Sequence, residues 1–461
     1  MSETPHGESL PQLLLSCYGD DFTGSTDVME VMTGAGYPCY LFLDPPTPEQ
    51  LAKFPDLRAF VVAGVSRSLS PEEMERELLP IFTGLCESGA KLIHYKICST
   101  FDSSPQVGSI GRAIDVGQSV FHSPVVPLLV GAPRLGRYTV FGNLWARAGL
   151  DTEPFRLDRH PAMSRHPMTP MDESDLRLHL SKQTERTIGL FDILQYPRTA
   201  SEQAEKWREL HEQGAEIVLI DVLYDEQLPA IGEHLWNQVS SDTPLYVVGS
   251  SGVEYALTAY WQPITNAKRP LLTRSAVEQV FIVSGSGSPV TARQIDHALM
   301  HGFAEVPLDP VALLAEETAE IEVQRAIESA GNLLQTGASV VVHTCRGPED
   351  PRLLAVRQHL RQHGLPDSVT GSRIGTALGK ILRAVCERTD LPRLGVTGGD
   401  TSGYVARTLG IEALEMVAPL APGSPLCRIH APASPAQGRE IVFKGGQVGK
   451  ADWFPDLLRA S

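Results

Sequence analysis

Several large functional classes are set aside by what this chain does not contain. No apolar run approaches the ~18 residues of a membrane-spanning helix. Positive charge is in deficit: 39 Lys and Arg stand against 55 Asp and Glu, a formal net charge of −16. Nucleic acid and anionic membranes both need a basic face, so neither is expected as a partner. The seven cysteines, at 17, 39, 86, 98, 345, 386 and 427, include no CxxC pair and no histidine at zinc-ligand spacing. An odd, scattered set predicts reduced thiols and a cytoplasmic protein. The opening MSETPHGESLPQ has no basic stretch before an apolar one, so no signal peptide is expected. Neither GxxxxGK[ST] nor GxGxxG followed by an acid about 20 residues on is found, which removes the P-loop and dehydrogenase fingerprints. No repeat and no low-complexity segment appears.

What is present is an ordinary globular composition, 42% hydrophobic and 20% charged over 461 residues, enough for two or three domains. Short apolar runs alternate with longer amphipathic ones. Strands are expected at LLLSC (13–17), CYLFL (39–43), AFVVAG (59–64), KLIHYKI (91–97), VVPLLVG (125–131), TIGLFDI (187–193), EIVLIDV (216–222) and LYVVGS (245–250). The proline-bearing, basic stretch at 261–275 reads as a linker. The pattern then restarts at VFIVSGSGS (280–288), ASVVVHT (338–344), LGVTGG (394–399) and REIVFKGG (439–446). Strand, helix, strand at this spacing predicts an α/β fold of two domains, 1–265 and 266–461, each with a mostly parallel sheet flanked by helices. Ligands of such sheets sit beyond the carboxyl ends of the strands.

Chemistry gathers at those ends. YGDDFTGSTD places Asp20, Asp21 and Thr23 between a strand and a helix. One aspartate is accounted for as a helix cap, but not two. A cation, or a polyhydroxylated substrate whose hydroxyls donate to carboxylates, explains the pair. KICSTFDSS brings Lys96, Ser99, Thr100, Asp102, Ser103 and Ser104 to another strand end. An anionic substrate would need local basic groups against the negative global field. Lys96, Arg137 and Arg165 are the candidates, each otherwise an ordinary surface charge.

In the second half, VSGSGSPVT holds Ser284, Ser286 and Ser288 in a loop that exposes N–H groups and hydroxyls to a phosphate. VTGGDTSG carries Gly398, Gly399, Asp400 and Thr401 into a helix, and FKGGQVG adds Gly446. Three phosphate-compatible loops in one domain point to a nucleotide, held without a Walker lysine. Asp400 could take a hydroxyl proton or hold Mg²⁺ through water.

Taken in order, DDFTG, KICSTFDSS, HPMTPM, SGSGSPVT, GGDTSG, PGSP and FKGGQVG resemble the four-carbon acid sugar kinase family over nearly the whole chain. The resemblance implies ATP-dependent phosphorylation of acids such as threonate, erythronate or 3-oxo-tetronate, with Mg²⁺ bridging the ATP phosphates. It implies a sugar-acid domain, a nucleotide domain and chemistry in the cleft between them. It puts Asp20, Asp21, Thr23, Lys96, Ser99 and Asp102 on the acid-sugar side. Ser284, Ser286, Ser288, Gly398, Gly399, Asp400, Thr401 and Gly446 fall on the nucleotide side. Two segments depart from the family pattern: KGGQVG stands where relatives read nearer KSGNFG, and PQVGSIG where they have a shorter GNIG-like run. The second departure lies beside the sugar loop and makes a branched acid such as 3-oxo-isoapionate a candidate. Asp21 and Asp400 both remain candidates for the base, and the metal ligands are open. A regulator that binds nucleotide or sugar acid without turnover is the alternative; it would need neither aspartate. A homo-oligomer is compatible with the sequence.

Overall fold

The computed structural model describes residues 10–460 except 150–151, 167, 241–242, 266–269, 271 and 367, and except the side chains at 368 and 400. By its contacts the chain forms two units, Met1–Cys39 with Asp44–Pro270, and Tyr40–Leu43 with Leu271–Ser461. Both are α/β. The strands are β1 Leu15–Gly19, β2 Cys39–Phe42, β3 Ala59–Ala63, β4 Leu92–Lys96, β5 Val126–Leu129, β6 Arg137–Val140, β7 Asn143–Arg147, β8 Pro154–Arg156, β9 Ile188–Phe191, β10 Ile217–Ile220 and β11 Leu245–Gly249. They continue as β12 Phe281–Ser284, β13 Ala304–Pro307, β14 Val340–His343, β15 Arg393–Thr397, β16 Ala413–Ala421, β17 Ser424–His430 and β18 Glu440–Lys444.

In the first unit the order is β3-β1-β4-β11-β5-β10-β9, parallel throughout. Its central strands are buried along their whole length, as β1, β3, β4 and β11 all show. This is why they read as continuous apolar runs rather than alternating ones. Register sets the functional edge. Gly19 lies level with Ala63 and Lys96, and Lys96 with Gly249. The segments after these four residues therefore emerge together. A separate antiparallel sheet, β6-β7-β8, follows β5.

The second unit runs β13-β14-β12-β15-β18-β17-β16-β2. Its first five strands are parallel and the last three antiparallel. Ser284 is level with His343 and Thr397, and Thr397 with Lys444, so four loops again leave one edge side by side.

Every strand expected above forms, most with ends trimmed by a residue or two; β1 runs two residues past LLLSC, β15 starts one residue before LGVTGG, and β12 ends four residues before the end of VFIVSGSGS. Strands β6, β7, β8, β13, β16 and β17 were not anticipated: the β16–β17 hairpin turns at Pro422-Gly423, where Gly423 takes φ 70°, and its prolines mask the pattern. CYLFL forms a strand, but Tyr40–Phe42 pair with Ala413–Glu415 of β16 and so belong to the second unit. Of the expected linker, the first five residues extend the helix Gly252–Thr265, and 266–269 and 271 lie outside the described residues.

Candidate functional site

Asp20 follows β1 directly and is buried, its backbone N–H donating to the Lys96 carbonyl at 2.9 Å. Asp21 caps the helix Phe22–Gly34, its Oδ1 accepting from Gly24 N–H at 2.6 Å. Both carboxylates converge on Arg67, from the loop after β3. Its Nη2 reaches Asp20 Oδ1 at 2.5 Å, its Nε reaches Asp20 Oδ2 at 3.0 Å, and its Nη1 reaches Asp21 Oδ2 at 2.5 Å. The adjacent acids thus tolerate each other because one guanidinium spans them. Burial raises the Asp20 pKa and the Asp21 charge adds to it, while Arg67 opposes both.

Lys96 is buried at the end of β4. Its Nζ donates to the Ile97 carbonyl at 3.1 Å and lies 3.8 Å from Asp27 Oδ2. Burial alone would lower its pKa; Asp27, Asp20 and Asp21 outweigh burial and raise it, so the side chain stays charged. A Cβ on Gly24 would come within 2.7 Å of Asp21 Oδ1 and 3.2 Å of Lys96 Nζ, so only glycine admits both groups to the first helical turn. One layer deeper, His94 Nδ1 and Glu254 Oε1 are 2.6 Å apart, fully buried, with Cys17 Sγ 3.8 Å from the same nitrogen.

The next loop is tied to itself. Thr100 Oγ1 donates to Asp102 Oδ1 at 2.7 Å, and Ser103 Oγ sits 3.2 Å from His179 Nε2 and accepts from Gln183 Nε2 at 3.0 Å. Phe101, buried against His179, holds φ 59°, a left-handed conformation that costs a bulky residue about 1–3 kcal/mol. Ser99 is half-buried beside it. Arg137, half-buried at the start of β6, gives Nη1 to the carbonyls of Leu135, Gly136 and Arg147. Its buried Nε has no acceptor among the described residues, and no described carboxylate forms an ion pair with it. Burial lowers its pKa; the Cys98 and Asp102 side chains act the other way.

In the second unit Ser284 Oγ accepts from Thr397 Oγ1 at 2.7 Å, joining the ends of β12 and β15. Ser288 caps the helix Pro289–Met300. Buried Thr291 Oγ1 donates to Ser286 Oγ and lies 3.0 Å from both that oxygen and the Gly446 carbonyl. A Cβ on Gly285 would sit 2.2 Å from Thr401 Oγ1, and one on Gly446 2.8 Å from Ser286 Oγ. The serine loop, the 398–401 turn and the 445–449 turn are therefore in direct contact. Gly398 has φ 123° and precedes the helix Gly399–Leu409 with no side-chain cap, leaving that helix start open to an anion. A groove of 770 Å³ lined by Gln279, Glu328, Asn332 and Asp390 lies before β12 and β15, at the amino edge of this sheet. Parallel sheets bind ligands at the opposite edge, and the groove holds none of the loops above.

Residues 15–257 match the sugar-binding N-terminal domain family, and residues 281–454 the nucleotide-binding C-terminal domain family. A 3-oxo-isoapionate kinase from Paraburkholderia graminis is 44% identical over 96% of this chain and 93% of its own. The chain belongs to the four-carbon acid sugar kinase family. A 3-oxo-tetronate kinase from Pseudomonas fluorescens is 28% identical over 98% of this chain and 97% of its own. The crystal structure of a Haemophilus influenzae protein of family DUF1537 shares the fold, with TM-score 0.71 at 22% identity over 96% of this chain and 98% of that one.

Within this sugar-acid kinase, the residues singled out in sequence fall into clusters. Asp20, Asp21 and Lys96 share the edge of the first sheet, with Thr23 half-buried in the helix that Asp21 caps. Asp102 and Ser99 lie on the next loop. Arg165 stands apart, exposed at the end of a short turn. Ser284, Ser286, Ser288, Gly398, Gly399, Thr401 and Gly446 line the edge of the second sheet; the Asp400 side chain lies outside the described residues. Arg67, Asp27, Glu254, Thr291 and Lys444 escaped sequence reasoning. Arg67 and Lys444 had a signal, a basic residue at or just past the end of an apolar run; Thr291 and Glu254 had none.

Proposed function

We propose that this kinase moves the terminal phosphoryl group of ATP to a hydroxyl of a branched sugar acid of the 3-oxo-isoapionate type. The observation that carries the reading is 44% identity to a 3-oxo-isoapionate kinase over nearly the full chain, against 28% to a 3-oxo-tetronate kinase. The departure at PQVGSIG, beside the sugar loop, supports the same choice.

The acid binds at the edge formed by β1, β3 and β4. Lys96 and Arg67 together face Asp20, Asp21 and Asp27, so this cluster carries no spare positive charge. Arg137 is the cation for the substrate carboxylate: it has a buried donor unspent and no ion-pair partner among the described residues. Asp20 and Asp21, held rigid by Arg67, accept from sugar hydroxyls, while Ser99 and Asp102 border the pocket. ATP binds on the serine and glycine loops of the second unit. Those loops offer hydroxyls and carbonyls rather than a carboxylate cage, which suits a Mg²⁺ held mainly by phosphates and water; the ion would neutralise phosphate charge.

In the transfer, the acceptor oxygen bonds to phosphorus as the bond to the β-phosphate oxygen breaks, and the hydroxyl proton goes to a base. Asp21 is poorly suited, because Gly24 N–H and Arg67 each donate to one of its oxygens and taking up a proton would weaken those bonds, although the remaining lone pairs can still accept from a hydroxyl. Asp400, in the first turn of the helix after Gly398, is the base. The seven cysteines form no disulfide among the described residues, which supports a reducing, cytoplasmic setting. The test is a coupled ADP-release assay over 3-oxo-isoapionate, 3-oxo-tetronate, threonate and erythronate. The highest kcat/KM is expected with 3-oxo-isoapionate; a preference for a straight-chain acid refutes the substrate assignment.

A further inference from the structure

Lys444, the last residue of β18, is fully buried, and no described acid pairs with it. Its Nζ donates to the Gly445 carbonyl at 2.9 Å and to Thr291 Oγ1 at 3.3 Å. The Trp453 ring centroid lies 5.5 Å away, and Trp453 belongs to an apolar cluster with Val442, Ile295 and Leu426. An ammonium in such a place is expensive unless something compensates it. Its position says what could. Thr291 is the shared partner of Lys444, Ser286 and the Gly446 carbonyl. Three residues on, Gln294 Nε2 holds the carbonyls of Val448 and Lys450 at 3.0 and 2.8 Å. The lysine therefore lies directly beneath the two turns that offer N–H groups and hydroxyls to a phosphate, at the edge of the sheet where such ligands bind.

We propose that Lys444 is the positive charge of the nucleotide-phosphate site, a positioning residue that acts from below through Thr291 on Ser286 and Gly446. This rests on nucleotide binding by the second unit. It supplies from a strand end the charge that a P-loop would supply from its helix. Burial lowers the Lys444 pKa to about 8, so near neutral pH its charge is poised to respond to a ligand. The titratable groups on the elements around it are Arg293, Asp296 and His297 of the helix, Arg393 of β15, Arg428 and His430 of β17, Cys345 on the adjoining loop, and Lys450 and Asp452 beyond the turn; Arg407 lies on the helix after Gly398, and Asp400 of that helix has its side chain outside the described residues. Among the described side chains none pairs with Lys444, Asp296 and Asp452 being taken by Arg346 and Arg459, and burial lowers its pKa. A phosphate above the loops raises the pKa, so binding draws in a proton.

The experiment is calorimetry of Mg·ADP binding to the full chain from pH 7 to 9, in buffers of different ionisation enthalpy. For a site free at about pH 8 and charged when bound, linkage weakens affinity about tenfold from pH 7 to 9, with about half a proton taken up per ADP at pH 8. The second phosphate pKa lies near 6, so the ligand itself is silent in this window. Lys444→Met is expected to bind about 10–100-fold more weakly at pH 7.5 and to lose the pH dependence. A wild-type protein that binds ADP with a flat profile and no proton uptake overturns the inference and leaves nucleotide binding standing, as does a Lys444→Met protein that keeps the wild-type profile. No ADP binding by wild type at any pH overturns the nucleotide reading itself.

Discussion

Replacing Arg67 by Met tests whether the aspartate pair is held by its guanidinium. The change keeps an aliphatic stem and removes contacts of 2.5 Å to Asp20 and 2.5 Å to Asp21. At an effective dielectric of about 20, a charge pair at about 4 Å is worth about 4 kcal/mol. The two arms differ: Asp20 is 4% exposed, Asp21 is 31% and Arg67 26%, so water screens the second arm and refunds part of the first. The Asp20 arm dominates, and the loss is about 3 kcal/mol, the low end for removing one partner of a buried pair. For a unit of this size that lowers its melting temperature by about 6–12 °C. The pH dependence has a definite sign. The Asp20 pKa is already raised by burial, and without Arg67 it rises further. A raised carboxyl contributes stability at low pH that is lost as pH climbs through its folded value. The penalty should therefore shrink as pH falls, because protonating Asp20 removes the charge that Arg67 offsets. Scanning calorimetry of the full chain, following the transition of the first unit, reads both effects. An unchanged melting temperature, or a penalty that grows as pH falls, would refute the reasoning.

Two further outcomes are expected. Asp400→Asn should lower kcat about 10²–10⁴-fold, the usual effect of losing a general base, with the sugar-acid Kd unchanged; near-wild-type kcat at saturating ATP and Mg²⁺ returns the role to Asp21. Gly285→Ala drives a Cβ to 2.2 Å from Thr401 Oγ1 and should destabilise the second unit by about 1–3 kcal/mol. Adding Thr401→Ala should recover most of that loss in a denaturant titration, and no recovery in the double variant means the clash is not the cause.

Local chemistry was enough to announce the strands and the loops that follow them. Buried parallel strands are apolar throughout, and their ends are marked by Gly, Ser and Asp, so Asp20, Lys96, Ser286 and Gly398 could be placed at strand ends by inspection. A parallel sheet then dictates that functional residues gather where the strands finish, whatever the strand order. Pairing across long sequence separation was beyond such reading. Nothing near Asp20 and Asp21 indicates that their counter-charge comes from Arg67, 47 and 46 residues on respectively, because the in-register ends of β1 and β3 create that contact. The same holds for Thr291 and Gly446, which meet across 155 residues. CYLFL carries the pattern of a strand but not its destination, since any strand pairs with whichever ladder offers unpaired N–H and C=O groups, and here Tyr40–Phe42 pair with β16. Lys444 shows the division most sharply. Its position after IVF is visible in the chain, but its burial beside Trp453 with no acidic partner among the described residues, on which its proposed role rests, exists only once β18, the helix Pro289–Met300 and the C-terminal turn are packed together.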